Sequence, residues 1–297
     1  MGRSSREYTL NWLIYQNREV NMRTPIRVDR GLCNRDGACV SQCPTRVIRM
    51  DPESGFPEAL PEFDDFCIEC GHCVVFCPKG AFSLDWLTPE KCTPIKDELA
   101  VTPEQVEQLL CGRRSIRSFK KKRVPRSTLK KVLEIASFAP SAKNQQPWHW
   151  IVVWEPEEVK RLAAAAIEWM RQTIEGLPDG QHRQWLTRAV TSHDSGYDSL
   201  CRGAPHLVIL HADRNLQFVS QDCTLALGFF DLYATNIGLG TCWATMFYEA
   251  INAYPPLVEA IGMPPDHLVY GAFAIGYPRF KYRGIPPRGP VRVSWKY

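Results

Sequence analysis

The chain has 297 residues, 44% of them hydrophobic and 23% charged, with a formal net charge of +4. These are ordinary values for a soluble globular chain of about two domains, and they leave ample material for a large core. No apolar run approaches the ~20 residues needed to span a bilayer, and the charge is too modest and too spread to argue for a nucleic-acid partner.

Residues 1–24 form an extension without a motif. Met1 to Asn21 is polar with scattered Leu10, Trp12, Leu13 and Ile14, so it reads either as a helical arm or as sequence ahead of a true start at Met22. Residues 25–87 carry two cysteine runs. The downstream run is Cys67-Ile68-Glu69-Cys70-Gly71-His72-Cys73-Val74-Val75-Phe76-Cys77-Pro78. Three thiolates at that spacing sit on one tight loop and hold three irons of a cubane. The fourth, ahead of the proline, points away and ligates the other cluster of a pair. The upstream run, Cys33-Asn34-Arg35-Asp36-Gly37-Ala38-Cys39-Val40-Ser41-Gln42-Cys43-Pro44, matches it position by position, except that Asp36 stands where Cys70 does.

Crossing the fourth ligands gives one complete set, Cys67, Cys70, Cys73 and Cys43, for a 4Fe–4S cluster. The other set is Cys33, Cys39 and Cys77 with Asp36. A carboxylate is a harder ligand than a thiolate. The second set therefore allows an Asp-ligated 4Fe–4S cluster, a cubane whose open iron takes water, or a 3Fe–4S cluster; an Asp-ligated or labile 4Fe–4S site is expected. Structural zinc takes four ligands, usually in separated pairs, and would leave several of these cysteines idle. A disulfide framework suits small secreted domains, and no signal peptide is visible. The repeated loops, one per half, resemble a two-cluster bacterial-type ferredoxin.

In that module residues 27–29 and 47–50 are expected as short paired strands around the first loop, with 82–84 playing the matching part after the second. Asp51 to Asp65 reads as an acidic excursion. Thiol-rich motifs without a targeting segment point to a reducing cytoplasm, in an anaerobe. From Ile26 to Lys91 there are seven Lys or Arg against eleven Asp or Glu, so the remainder carries about +8. A basic second part is compatible with docking of the two or with a phosphate-bearing cofactor.

Residues 88–101 read as a linker, with Cys92 a bystander. Thr102-Pro103-Glu104-Gln105 then starts a helix with an N-cap threonine, a proline in the first turn and a capping-box glutamine, running to about Cys111. Immediately after it come Arg113-Arg114-Ser115-Ile116-Arg117-Ser118-Phe119, donors suited to a phosphate; the following lysines, 120–122, read as a solvated turn. Two later stretches go with this one. They are Ala139-Pro140-Ser141-Ala142-Lys143-Asn144-Gln145-Gln146-Pro147-Trp148-His149-Trp150 and Gly238-Leu239-Gly240-Thr241-Cys242-Trp243-Ala244. Together, in this order, the three motifs resemble the FMN-dependent nitroreductase family over residues 102–297. The fold class implied is α+β, an α/β/α sandwich of nitroreductase type preceded by a small ferredoxin-like iron–sulfur domain.

Further along, 148–154 reads as a buried strand in which His149 is packed, and Glu157 to Gly176 as a helix. Leu177 to Ser199 reads as a polar insertion with surface histidines His182 and His193. Pro205 to Asp213 and Leu268 to Ile275 are expected as strands, Thr224 to Gly238 as a central buried helix, and Val291 to Trp295 as a terminal strand. The resemblance implies a homodimer in which both subunits build each FMN site. Arg113, Arg114 and Ser115 are then expected at the phosphate and Arg117 at the pyrimidine edge, with Pro140, Ser141, Ala142 and Asn144 from the other subunit. Gly240 would let the backbone approach the flavin, and Thr241 and Cys242 would border its ring. Arg288, and more weakly Lys281 and Arg283, would close the phosphate site. Cys242 reads as structural, with no neighbouring cysteine to form a disulfide. No side chain need react covalently, because the flavin carries the chemistry. The expected activity is relay of electrons between the clusters and FMN to a small-molecule acceptor (nitroaromatic, quinone or activated alkene), from a ferredoxin or NAD(P)H. A non-catalytic electron-transfer module serving a redox partner is the alternative.

Overall fold

The computed structural model describes residues 26–296; the expected arm and the Met22 start lie outside them. The chain forms two compact units, one ending at Asp97 and one beginning at Glu98.

The first unit contains β1 (Ile26–Val28), α1 (Ala38–Ser41), β2 (Ile48–Met50), β3 (Pro57–Ala59), α2 (Phe63–Phe66), α3 (His72–Val75) and β4 (Phe82–Leu84). β1 pairs antiparallel with β4, Ile26 opposite Leu84, and β2 pairs with β3, Ile48 opposite Ala59. The expected pairing of the first two strands around the first loop is therefore corrected: first pairs with last, and the acidic excursion supplies the partner of β2. Joining the unit's first and last strands brings the segment after Cys77 alongside the segment before Cys33. The repeat is also visible in the backbone. Arg35 and Gly37 stand at φ +60° and +72°, and their counterparts Glu69 and Gly71 at +51° and +73°. Each pair turns the chain sharply into a one-turn helix, α1 or α3. Val47, Ile48, Phe63, Val74, Phe82 and Leu84 form the core, and Cys92 packs against it.

The second unit contains α4 (Pro103–Gly112), α5 (Arg126–Ala136), β5 (His149–Val153), α6 (Pro156–Gly176), α7 (Gln181–Asp194), β6 (His206–Asp213), α8 (Val219–Asn236), β7 (Gly240–Trp243), α9 (Thr245–Ala253), α10 (Pro255–Ala260) and β8 (His267–Gly276). The strands form one antiparallel sheet in the order β5-β6-β8-β7. Side chains alternate across it, as strand geometry requires. Leu207, Ile209, Ala272 and Ala274 face a layer that includes α6, α7, α9 and α10. Val208, Leu210, Phe273 and Ile275 face α5 and α8. The result is a three-layer α/β/α sandwich.

Several elements differ from expectation. The strand at 149–153 lies at the sheet edge, so it is only half buried, and His149 at its start is exposed. The central helix begins at Val219, and Leu225 and Phe229 on it are exposed. The polar insertion holds a helix, α7, whose Leu186 and Ala189 are buried. Residues 291–295 are not assigned as a strand; Val291, Val293 and Trp295 are exposed, and among the described residues no strand pairs with them.

Candidate cofactor sites

In the first unit Cys33, Asp36, Cys39 and Cys77 line one cavity. Cys43, Cys67, Cys70 and Cys73 line a second. The structure thus gathers the eight candidate ligands into the two crossed sets. Among the described residues no three His, Cys, Asp or Glu side chains are placed to hold a single metal ion. Asp36 is held by its own backbone, with Oδ1 accepting from the Ala38 N–H at 2.9 Å. One carboxylate oxygen is thereby fixed at the head of α1. Burial pushes the Cys39 thiol up to about 11 and the Cys73 thiol to about 12, and nearby cysteines add to both. Since iron takes thiolates, loading these cavities releases protons.

In the second unit three of the expected segments meet. α4 starts on a full capping box between Thr102 and Gln105 and delivers Arg113 at its C-terminal end. Arg113 Nη1 lies 3.2 Å from Asp231 Oδ2 on α8. The other oxygen of Asp231 accepts from the Thr241 hydroxyl. Burial raises the Asp231 pKa, while Thr241 and Arg113 draw it back. The Ile116 N–H donates to Thr241 O at 2.8 Å, tying the Arg-rich loop to β7. On the other side of that loop the Tyr282 hydroxyl donates to Ser115 O at 3.1 Å, and Arg279 N–H to Ser118 O at 2.9 Å. Lys281 and Arg283, which flank Tyr282, are exposed. Arg288 is exposed and makes no hydrogen bond or ion pair among the described residues.

The loop 140–147 has its own anchor. Ala142 N–H donates to Asp222 Oδ1 at 3.0 Å, and Gln146 N–H to Ser141 Oγ at 2.9 Å. Lys143, Asn144 and Gln146 all stand at positive φ, +52°, +55° and +46°, so the turn is strained, a condition that clusters at ligand clamps. Asp222 and Asp231 are nine residues apart on α8, about 13 Å along the axis, so one helix spaces the two segments.

A Cβ at Gly240 would meet the side chain of Ile116, and Gly238 stands at φ +80°, so packing at one position and turn geometry at the other each call for a glycine. Cys242 and Cys201, far apart in sequence, belong to the same buried cluster, and both are free cysteines. Both are buried and both thiols are pushed up by burial, Cys201 well above its ordinary value, which keeps them inert. Asp222, Asp231 and Tyr282 were not anticipated. Two aspartates within the apolar run 219–236 were the available signal, because buried carboxylates require partners.

Residues 110–277 match the model of the Nitroreductase family, and residues 31–81 that of the 4Fe–4S dicluster domain. The chain is 25% identical over 181 residues to a putative NADH dehydrogenase/NAD(P)H nitroreductase of Archaeoglobus fulgidus, covering 59% of this chain and 87% of that one. It is 31% identical over 200 residues to the nitroreductase NfnB of Mycolicibacterium smegmatis, with 59% and 83% covered. Its fold is similar to that of a nitroreductase with bound FMN from Bacteroides fragilis, at TM-score 0.51 and 25% identity, covering 65% of this chain and 96% of that one. Because the family model takes in more than half of the chain and lies within the sandwich unit, this protein belongs to the Nitroreductase family, with a 4Fe–4S dicluster ferredoxin domain ahead of the flavoprotein fold.

Proposed function

We propose that this protein is an FMN-dependent oxidoreductase that relays electrons between two iron–sulfur clusters and the flavin to reduce a small acceptor: a nitroaromatic, a quinone or an activated alkene. The observation that carries the reading is the sorting of eight candidate ligands into two cavities, within one chain that also holds the flavoprotein sandwich. When bound, the clusters supply one-electron transfer and FMN supplies the conversion to two-electron chemistry. Ferredoxin is the donor favoured, with NAD(P)H the other candidate.

The chain's own residues hold and orient these groups. Cys43, Cys67, Cys70 and Cys73 ligate a 4Fe–4S cluster. Cys33, Cys39, Cys77 and Asp36 hold an Asp-ligated or labile one. Arg113 and Ser115, with Arg114 beside them and Arg288, or else Lys281 or Arg283, closing the site, hold the FMN phosphate. Asp231 keeps the Arg113 guanidinium in place, so it acts as a positioning residue. Arg117 meets the pyrimidine edge, and Thr241 and Cys242 border the ring. Pro140, Ser141, Ala142 and Asn144 serve the site of a second copy in a homodimer; their separate anchor on Asp222 supports this arrangement.

Cofactor content tests the assignment. Protein purified without oxygen is expected to contain iron, acid-labile sulfide and FMN. Cys73→Ala should lower iron while keeping FMN, and Arg113→Ala should do the reverse. Unchanged iron in the first variant would contradict the ligand set.

A further inference from the structure

Aligned on their cysteines, the two cluster loops carry opposite charge at matched positions. Arg30 and Arg35 of the first loop stand where Asp64 and Glu69 stand in the second. The surrounding windows agree: residues 28–35 hold two arginines and one aspartate, whereas 62–69 hold four acids and no base. The backbone repeats while the charge does not, since Arg35 and Glu69 share a left-handed conformation at φ +60° and +51°.

Both arginines are held in place. The Arg35 guanidinium lies over the Phe56 ring, 4.3 Å from its centroid, and that of Arg30 lies 5.0 Å from the same ring. The stem of Arg35 runs over Gly55, with Cδ 3.5 Å from the position a Cβ would take there. Phe56 is buried, so its face is a fixed seat for the two cations. It precedes Pro57, which lines the first cavity together with Arg35 and the donors Cys33, Asp36, Cys39 and Cys77. Among the described residues no arginine or lysine lines the second cavity. Asp29, the one acid in the first window, is committed to the backbone: its Oδ1 accepts from the Gly31 and Leu32 N–H groups at 2.8 and 3.2 Å.

A positive charge beside an iron–sulfur cluster favours the reduced, more negative state and raises the reduction potential, and a carboxylate lowers it. We propose that Arg30 and Arg35 hold the Asp36-containing cluster at the higher potential of the two, so that electrons collect there. The cluster of Cys43, Cys67, Cys70 and Cys73 then loses one electron and the Asp36-containing cluster gains it, with no bond made or broken. The arginines can act in this way only if both clusters are present, as the proposed function has it.

The test is a redox titration of the full chain, purified without oxygen, with both clusters followed by EPR. Arg30→Gln combined with Arg35→Gln should lower the higher midpoint and leave the lower one in place. The equilibrium constant for transfer between the clusters is expected to fall about tenfold, the scale of partly screened charges, which is a shift of about 59 mV. Glu69→Gln should raise the lower midpoint. Arg30→Lys combined with Arg35→Lys keeps the charges and should keep the parent's midpoints; a loss equal to that of the glutamine variant would assign the effect to packing on Phe56 and overturn the proposal. Unchanged midpoints in the glutamine variant would overturn it too, as would a shift of the lower midpoint instead of the higher. If the double variant loses iron, Arg30→Gln alone, outside the ligand run, decides the matter with a fall of about threefold. Iron and acid-labile sulfide in the parent separate the two levels. A parent without two clusters overturns the proposed function and this inference together, whereas two clusters with unmoved midpoints overturn this inference alone.

Discussion

Gly240 and Asp36 each occupy a position where one atom group decides the outcome. A Cβ at Gly240 would lie 2.8 Å from Ile116 Cβ and 3.0 Å from its Cγ2, branched atoms close to the backbone that cannot swing away. Gly240→Ala should therefore lose about 1–3 kcal/mol by overpacking and lower the melting temperature by roughly 3–10 °C. Adding Ile116→Ala should return part of the loss in a thermal melt, whereas a single variant that melts with the parent would refute the contact. Asp36 is the one candidate ligand position at which the two cluster loops differ, a carboxylate standing where the other loop has Cys70. Asp36→Cys is expected to abolish any 3Fe–4S signal in the EPR spectrum of the oxidised protein and to raise its iron content. An identical spectrum would remove Asp36 from the ligand set. Both positions are conspicuous in the sequence, but only the aspartate could be interpreted there, because its counterpart Cys70 was in view while Ile116's approach to Gly240 depends on tertiary packing.

At the scale of elements, three strands bring three histidines together. His149 and His211 stack across β5 and β6 at 5.5 Å, and His267 at the start of β8 contacts both rings. The Nδ1 atoms of His211 and His267 are 2.8 Å apart and share a single hydrogen, so one of the two must stay neutral. Burial first, then His267 and His149, hold the His211 pKa down to about 4. An exposed imidazole in the unfolded chain takes its proton near 6.5. Between about pH 6.5 and 4 the unfolded chain thus binds more protons, so stability is full above this window and falls as pH drops through it. The loss attributable to His211 is up to about 3 kcal/mol. Urea midpoints at several pH values should show this slope, flattened in His211→Gln; an equal slope in the variant would contradict it.

The same scale shows what sequence can carry. The capping box at Thr102, the apolar run of β6 and the paired cysteine loops were legible because each is a local pattern. The pairing of β1 with β4, the edge position of β5 and the packing that makes α9 and α10 helices depend on contacts distant in sequence. Residues 291–295 have strand-like alternation, yet a strand needs a neighbour to accept its backbone, and the described residues offer none.

For the whole molecule the central claim is that one chain joins a one-electron store to a two-electron catalyst. Residues 26–91 are acidic and the remainder basic, a polarity that suits an acidic cluster unit exchanging electrons with a redox protein and a basic unit holding a phosphate. Among the described residues no helix is long and apolar enough to cross a membrane. The family assignment fixes the flavin type but leaves the direction of electron flow to experiment. The most direct measurement is an anaerobic titration followed by absorbance and EPR, with reduced ferredoxin, NADH and NADPH supplied separately. The account predicts that reduced ferredoxin reduces the clusters first and the flavin after them, and that the nicotinamides alone do not. Bleaching of the flavin by a nicotinamide ahead of the clusters would contradict it and make the flavin the inlet.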